Sequence, residues 1–233
     1  MTQPSPQPKL PLMTLKTINI DDLRAATVVM EPFPHLIVPG FVRREALDAI
    51  QADYPQLELP GSFPLPTLTY GKNFKLMMDE IRGSEMAEVI SQKFKVDLKC
   101  RPTMITVRGQ CRAKDGQIHT DSKTKIITVL IYMNGKWEAP GGRLRLLRSP
   151  NNLNDSFAEV PPDEGTLLIF RNQANAWHGH ESFEGQRRAI QLNWVRDIGV
   201  VWREQTRHKI SAYFKRLRAR KNAEKTLGNK GSI

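Results

Sequence analysis

Cysteine is nearly absent. Cys100 and Cys111 are the two in a chain of 233 residues, too few for a disulfide framework and without the close pairs of a zinc site. Both lie among apolar or basic residues beside expected strands, so buried free thiols and a cytoplasmic location are expected. Long hydrophobic runs are missing too: no stretch approaches the roughly 18 uninterrupted apolar residues of a membrane-spanning helix. The first residues, with Pro4, Pro6, Pro8 and Pro11, lack the basic-then-apolar build of a signal peptide and read as a disordered, proline-rich lead over 1–16. No internal repeat is visible, which excludes a solenoid or propeller.

Acidic residues are in deficit, 24 Asp and Glu against 35 Lys and Arg, for a net charge of +11. The excess is local. From Arg203 to Lys230 ten basic residues face two glutamates, so +8 of the +11 sits in that tail. The body of the chain is close to neutral and holds no nucleic-acid motif, so a nucleic-acid partner acting through the tail is the disfavoured reading. Trp202, Ile210, Phe214 and Leu217 give residues 198–233 the spacing of a basic C-terminal helix and tail.

The period of the apolar residues divides the rest. Residues 17–100 form a lead-in with helical patterns over Asp21–Met30, Val42–Tyr54 and Asp79–Phe94 and a short strand before Pro39-Gly40. Residues 55–75 carry Pro, Gly and aromatics without a period, as in a long loop or a lid over a site. From Arg101 the period becomes two. Thr103–Val107, Thr124–Met133, a strand around Leu144 and Leu146, Thr166–Phe170 and Arg187–Val195 read as strands separated by turns, with Cys111 opening another. Thr124–Met133 is apolar almost throughout, as in a strand covered on both faces. The expected fold is mainly β with flanking helices, a sandwich or jelly roll whose core spans 101–197.

Just before the longest apolar strand stands His119-Thr120-Asp121. In extended backbone those two side chains point the same way, giving two thirds of the two-histidine, one-carboxylate face that binds non-heme Fe(II). Trp177-His178-Gly179-His180 offers a third ligand from either histidine. Arg187 and Arg188 follow nine and ten residues after His178, and either guanidinium could hold a carboxylate in a bidentate fork. Arg143, Arg145 and Arg148 alternate along one strand and read as a solvated face, and His35 and His208 as structural or solvated.

Taken together, these pieces resemble the Fe(II)- and 2-oxoglutarate-dependent dioxygenases, in particular the bacterial branch similar to prolyl 4-hydroxylase catalytic domains. The matching residues are His119-Thr120-Asp121, Leu130 to Asn134, Gly141-Gly142-Arg143-Leu144, Pro161 to Phe170, His178 and Gly185-Gln186-Arg187-Arg188 to Trp194, with Phe33 to Phe41 upstream. The resemblance implies a double-stranded β-helix, a cupin-like jelly roll. It also implies Fe(II) on His119, Asp121 and His178, and 2-oxoglutarate on an arginine of the 187/188 pair. Arg188 is favoured because it lies ten residues after His178 and shares a strand face with Ile190, Leu192 and Trp194, although the Gly-x-Arg match points to Arg187. Where many members have an aromatic residue upstream of the His-x-Asp, this chain has Arg108. The implied reaction couples decarboxylation of 2-oxoglutarate to hydroxylation of a C–H bond, with O2 as oxidant, ascorbate as an accessory reductant and a small-molecule or amino-acid-type substrate. The competing reading is a non-catalytic jelly roll that binds a metal or ligand.

Overall fold

The computed structural model describes residues 15–199 and 201. The proline-rich lead, save residues 15 and 16, and the helix expected from Trp202 onward lie outside the described residues. In chain order the elements are α1 (Ile20–Ala25), β1 (His35–Val38), α2 (Arg44–Ala52), β2 (Phe63–Pro64), α3 (Lys72–Ile81), α4 (Ser84–Phe94), β3 (Thr103–Cys111), β4 (Lys125–Tyr132), β5 (Leu144–Leu147), β6 (Ser156–Val160), β7 (Leu167–Arg171), β8 (Trp177–His180) and β9 (Gly185–Val195).

Two antiparallel sheets form, one of six strands in the order β1-β7-β4-β9-β3-β2 and one of three in the order β6-β5-β8. This is the double-stranded β-helix. The apolar density of β4 has the expected cause, since both faces of the large sheet are covered. On one side Ile127, Val129 and Ile131 of β4 and Ile190, Leu192 and Trp194 of β9 pack against Leu47 and Ile50 of α2, Phe74 and Met77 of α3 and Ile90 of α4. On the other side Tyr132, Leu168, Phe170 and Ala189 meet Leu144 and Leu146 of the small sheet. Each such side chain taken out of water contributes ~1.5–3 kcal/mol.

Several local expectations are corrected. The helix expected over Asp79–Phe94 is two, because Gly83 adopts extended backbone (ψ 160°), closing α3 through its N–H to the Glu80 carbonyl (3.0 Å) and capping α4. The aperiodic 55–75 segment contains β2 and the start of α3, with β2 pairing at Phe63 and Pro64 to β3. The helix expected over Asp21–Met30 is the shorter α1, which ends at Ala25 and has Asn19 at its N-cap position. Cys111 ends β3 after a bulge instead of opening a strand, and Cys100 is exposed while Cys111 is buried, neither in a disulfide. Strand β6, unmarked by clear alternation, is held by its ladder to β5. Arg145 is ion-paired with Glu159 (2.9 Å) and Glu181 (2.7 Å), so its strand face is more than solvated.

Candidate metal and carboxylate site

The segment carrying His119 is not part of a long strand. It is joined to β8 by one antiparallel bridge in which His119 N–H donates to the His178 carbonyl and His178 N–H to the His119 carbonyl, each at 3.0 Å. The close approach requires glycine at both crossing points. A Cβ at Gly179 would meet the Gly116 carbonyl oxygen at 2.9 Å, and one at Gly116, where φ is +92°, would meet the His180 ring at 2.4 Å.

This pairing brings the two imidazoles together at a tilt of 57°, with ring centroids 4.3 Å apart. Ligand atoms of His119, Asp121 and His178 all lie within 4.8 Å of one another. Both rings are oriented the same way from behind: His119 Nδ1 meets the Gln117 carbonyl at 2.8 Å and His178 Nδ1 meets that of Ala176 at 3.0 Å. A carbonyl can only accept, so each Nδ1 carries the proton and each Nε2 keeps its lone pair. Burial, with the neighbouring His119 adding to it, pushes the His178 pKa down to about 4, so its ring is neutral near pH 7.

Asp121 is nearly enclosed. One carboxylate oxygen accepts from Lys125 Nζ (2.6 Å) and the other from Thr128 Oγ1 (2.5 Å). Burial alone would raise this carboxyl's pKa, but the Lys125 ammonium, His178 and those two hydrogen bonds outweigh it, so the group stays below the usual carboxylate range and is ionised. Two imidazole nitrogens and a carboxylate suit a divalent transition ion such as Fe(II).

His180 does not join the three. Its Nδ1 meets the Glu181 carbonyl (2.8 Å) and its Nε2 lies 4.0 Å from Cys111 Sγ. His35 is buried, with Nδ1 at 2.9 Å from the Phe33 carbonyl.

The ligand candidates open onto a cavity of about 500 Å³ between the sheets. Strand β9 decides which arginine enters it. Arg188 is on the helix-packed face with Ile190, Leu192 and Trp194, over the Tyr54 ring (5.2 Å) and 3.4 Å from the Gln51 carbonyl. Arg187, with Ala189, Gln191 and Asn193, lines the cavity. The apolar face that Arg188 shares in the sequence is thus real, but it belongs to the helical core, and the structure does not bring Arg188 to His119, Asp121 and His178. Arg187 is 6% exposed, donates from Nε to the Gly142 carbonyl (2.7 Å) and stacks over the Tyr132 ring (5.2 Å). Its Nη2 is buried with no hydrogen-bond partner, a donor available to an anion in the cavity. Tyr132, Thr128 and Lys125 escaped the sequence reading. The available signal was the alternation of Thr128, Leu130 and Tyr132 with Ile127, Val129 and Ile131, which separates a cavity face from a core face in a strand that looks uniformly apolar.

The 2OG-Fe(II) oxygenase superfamily model matches residues 109–196, the segment that holds all three ligand candidates and Arg187. No curated protein matches the chain in sequence. Among solved structures, an oxidoreductase of the 2OG-Fe(II) oxygenase family from Burkholderia pseudomallei is 12% identical, covering 77% of this chain and 91% of its own at a TM-score of 0.50, and shares the fold. A prolyl-4-hydroxylase from Pseudomonas putida is 17% identical, covering 76% of this chain and 92% of its own at a TM-score of 0.48. No helix among the described residues is long and apolar enough to cross a membrane. Residues 109–196 are thus similar to the 2OG-Fe(II) oxygenase superfamily, and the activity this segment supports is that of a dioxygenase using Fe(II), 2-oxoglutarate and O2.

Proposed function

We propose that His119, Asp121 and His178 are the iron ligands, that Arg187 receives the far carboxylate of 2-oxoglutarate, and that the enzyme hydroxylates a C–H bond of a small-molecule or amino-acid-type substrate. The observation that carries this reading is the convergence of the three side chains on the cavity whose wall holds the unpartnered Nη2 of Arg187. The overall change is balanced: substrate C–H, 2-oxoglutarate and O2 give substrate C–OH, succinate and CO2. Bound Fe(II) supplies the activation of O2, with ascorbate as an external reductant.

The chain's own residues set the conditions for that chemistry. The carbonyls of Gln117 and Ala176 hold both imidazoles by Nδ1, so that Nε2 of each would be the atom to hold the ion. Thr128 and Lys125 orient the Asp121 carboxylate and keep it charged. Arg187, buried and braced by Gly142 and Tyr132, binds a carboxylate more strongly than an exposed arginine because water does not compete. The catalytic core of this reading is 101–197, with 17–100 as its buttress, and the two free cysteines fit a reducing cytoplasm.

The test is formation of succinate from 2-oxoglutarate by protein supplied with Fe(II), O2 and ascorbate, with no added substrate. Slow succinate release in the wild type, lost in His119→Ala, is the expected result. Turnover that is absent from the wild type, or unchanged in His119→Ala, contradicts it.

A further inference from the structure

Arg187 is not the cavity's one guanidinium. Arg108 on β3 lines the same wall, and the two flank a shared row of the sheet. Ala189 pairs with Arg108 on one side and with Tyr132 on the other, and Arg187 is two residues from Ala189 on the same face. Burial, then the nearby Arg187 cation, lower the pKa of Arg108 from its ordinary value.

The chain invests structure in holding Arg108 there. Its Nε donates to Ser62 Oγ (2.8 Å), and Ser62 arrives on a segment seated against the β3 bulge. Pro60 bridges Gln110, and a Cβ on Gly109 would meet the Leu57 carbonyl oxygen at 2.8 Å. This segment is the aperiodic stretch that reads in the sequence as a long loop or a lid, and its contribution to the cavity wall is Ser62.

Counting charge shows what is missing. Among the described residues the cavity's two carboxylates are ion-paired, Asp121 with Lys125 (2.6 Å) and Asp115 with Arg112 (2.8 Å), and Asp115 reaches Arg108 through space without a hydrogen bond. With Fe(II) and 2-oxoglutarate bound, Asp121 and the two carboxylates of 2-oxoglutarate would supply three negative charges against four positive ones on Fe(II), Arg187 and Lys125, before Arg108 is counted. Lys125 keeps its hydrogen bond to Asp121. Arg108 hydrogen-bonds a neutral hydroxyl, and the cavity is left with an excess of positive charge that favours an anion.

Resting on the reading of Arg187 as cosubstrate anchor, we propose that Arg108 and Ser62 form a second anion subsite that binds a carboxylate of the primary substrate. The substrate is accordingly an acid, and Arg108 is the residue that selects for it. A planar guanidinium whose Nε is already tied is suited to presenting its remaining donors to one carboxylate.

Acetate is the probe. Full-length protein is loaded with Mn(II) and 2-oxoglutarate without oxygen, and the paramagnetic relaxation of acetate methyl protons is titrated alongside the dissociation constant of 2-oxoglutarate. The wild type is expected to relax acetate saturably. Arg108→Met should weaken acetate by about tenfold or more and 2-oxoglutarate by less than about threefold, corresponding to loss of one charge-assisted contact. Ser62→Ala, which keeps the arginine, should weaken acetate by a smaller factor. Melting of Arg108→Met should be unchanged or raised, since a partly desolvated cation beside Arg187 is gone. A tenfold loss of 2-oxoglutarate affinity in Arg108→Met would overturn the proposal by assigning Arg108 to the cosubstrate. Acetate relaxation that is absent from the wild type or equal in both proteins would also overturn it. Failure of 2-oxoglutarate to bind the wild type at all would instead strike the reading of Arg187.

Discussion

His119 and His178, 59 positions apart in the chain, exchange both backbone hydrogen bonds at 3.0 Å, and this single bridge sets the separation of their rings. The candidate metal site is therefore only as rigid as the crossing of the Gly116–Asp121 segment over β8. Glycine makes that crossing possible.

Gly116→Ala tests the dependence. The new methyl would lie 2.4 Å from the His180 ring in backbone that L residues avoid (φ +92°). Overpacking and backbone strain together should cost ~2–4 kcal/mol of stability, and the variant should bind Fe(II) more weakly than wild type. Urea unfolding and metal titration read the two effects separately. A variant as stable as wild type would show that the loop has other conformations open to it.

The hydroxyl of Thr128 touches Asp121 Oδ2 and also lies 3.1 Å from Asn193 Oδ1. Thr128→Val keeps the shape and removes the donor. Losing such a support typically weakens metal binding by ~10–100-fold, and that fall in Fe(II) affinity is the expected result, with the fold intact by circular dichroism. Unchanged affinity would mean that Lys125 alone orients the carboxylate.

The two arginines of β9 should separate cleanly. Arg187→Met removes a buried charge-assisted contact worth ~2–3 kcal/mol, so the dissociation constant of 2-oxoglutarate should rise by roughly 30- to 150-fold. Arg188→Met should leave that constant within about threefold and instead lower stability by ~1 kcal/mol, through loss of its packing on Tyr54. The opposite pattern would restore Arg188 as the anchor.

This pair also marks how far the sequence reads. The jelly roll, the His-x-Asp and the pairing of His119 with His178 in preference to His180 all follow from period, spacing and resemblance. Which face of β9 is the cavity does not follow, because a strand between a helical layer and a second sheet is covered on both sides, and burial alone cannot tell one inside from the other. The same ambiguity hid Tyr132 and Thr128 in an apolar run. The break between α3 and α4 was hidden differently: Gly83 interrupts a continuous apolar period without altering it.

In metal-free protein, stability should fall with acidity. Burial holds both His178 and His180 at about 4, against 6.5 for the free side chain. The unfolded chain takes up these protons below pH 6.5 while the folded chain does so only near pH 4. The stabilisation is complete above pH 6.5 and is lost as pH drops through that window, by up to ~3 kcal/mol per histidine. Asp121, with its pKa lowered, acts at still lower pH. Denaturant melts at pH 7.5 and 5 measure the difference. His178→Gln should flatten the profile by about half, and a profile unaffected by it would contradict the buried neutral ring.

The most direct test of the account is the visible charge-transfer absorption of Fe(II) chelated by 2-oxoglutarate, recorded without oxygen. The wild type should develop the band on addition of both components, His178→Ala should lose it, and His180→Ala should retain it. Absence of the band from the wild type, or its survival in His178→Ala with loss in His180→Ala, would contradict the assignment of His119, Asp121 and His178 as the ligands.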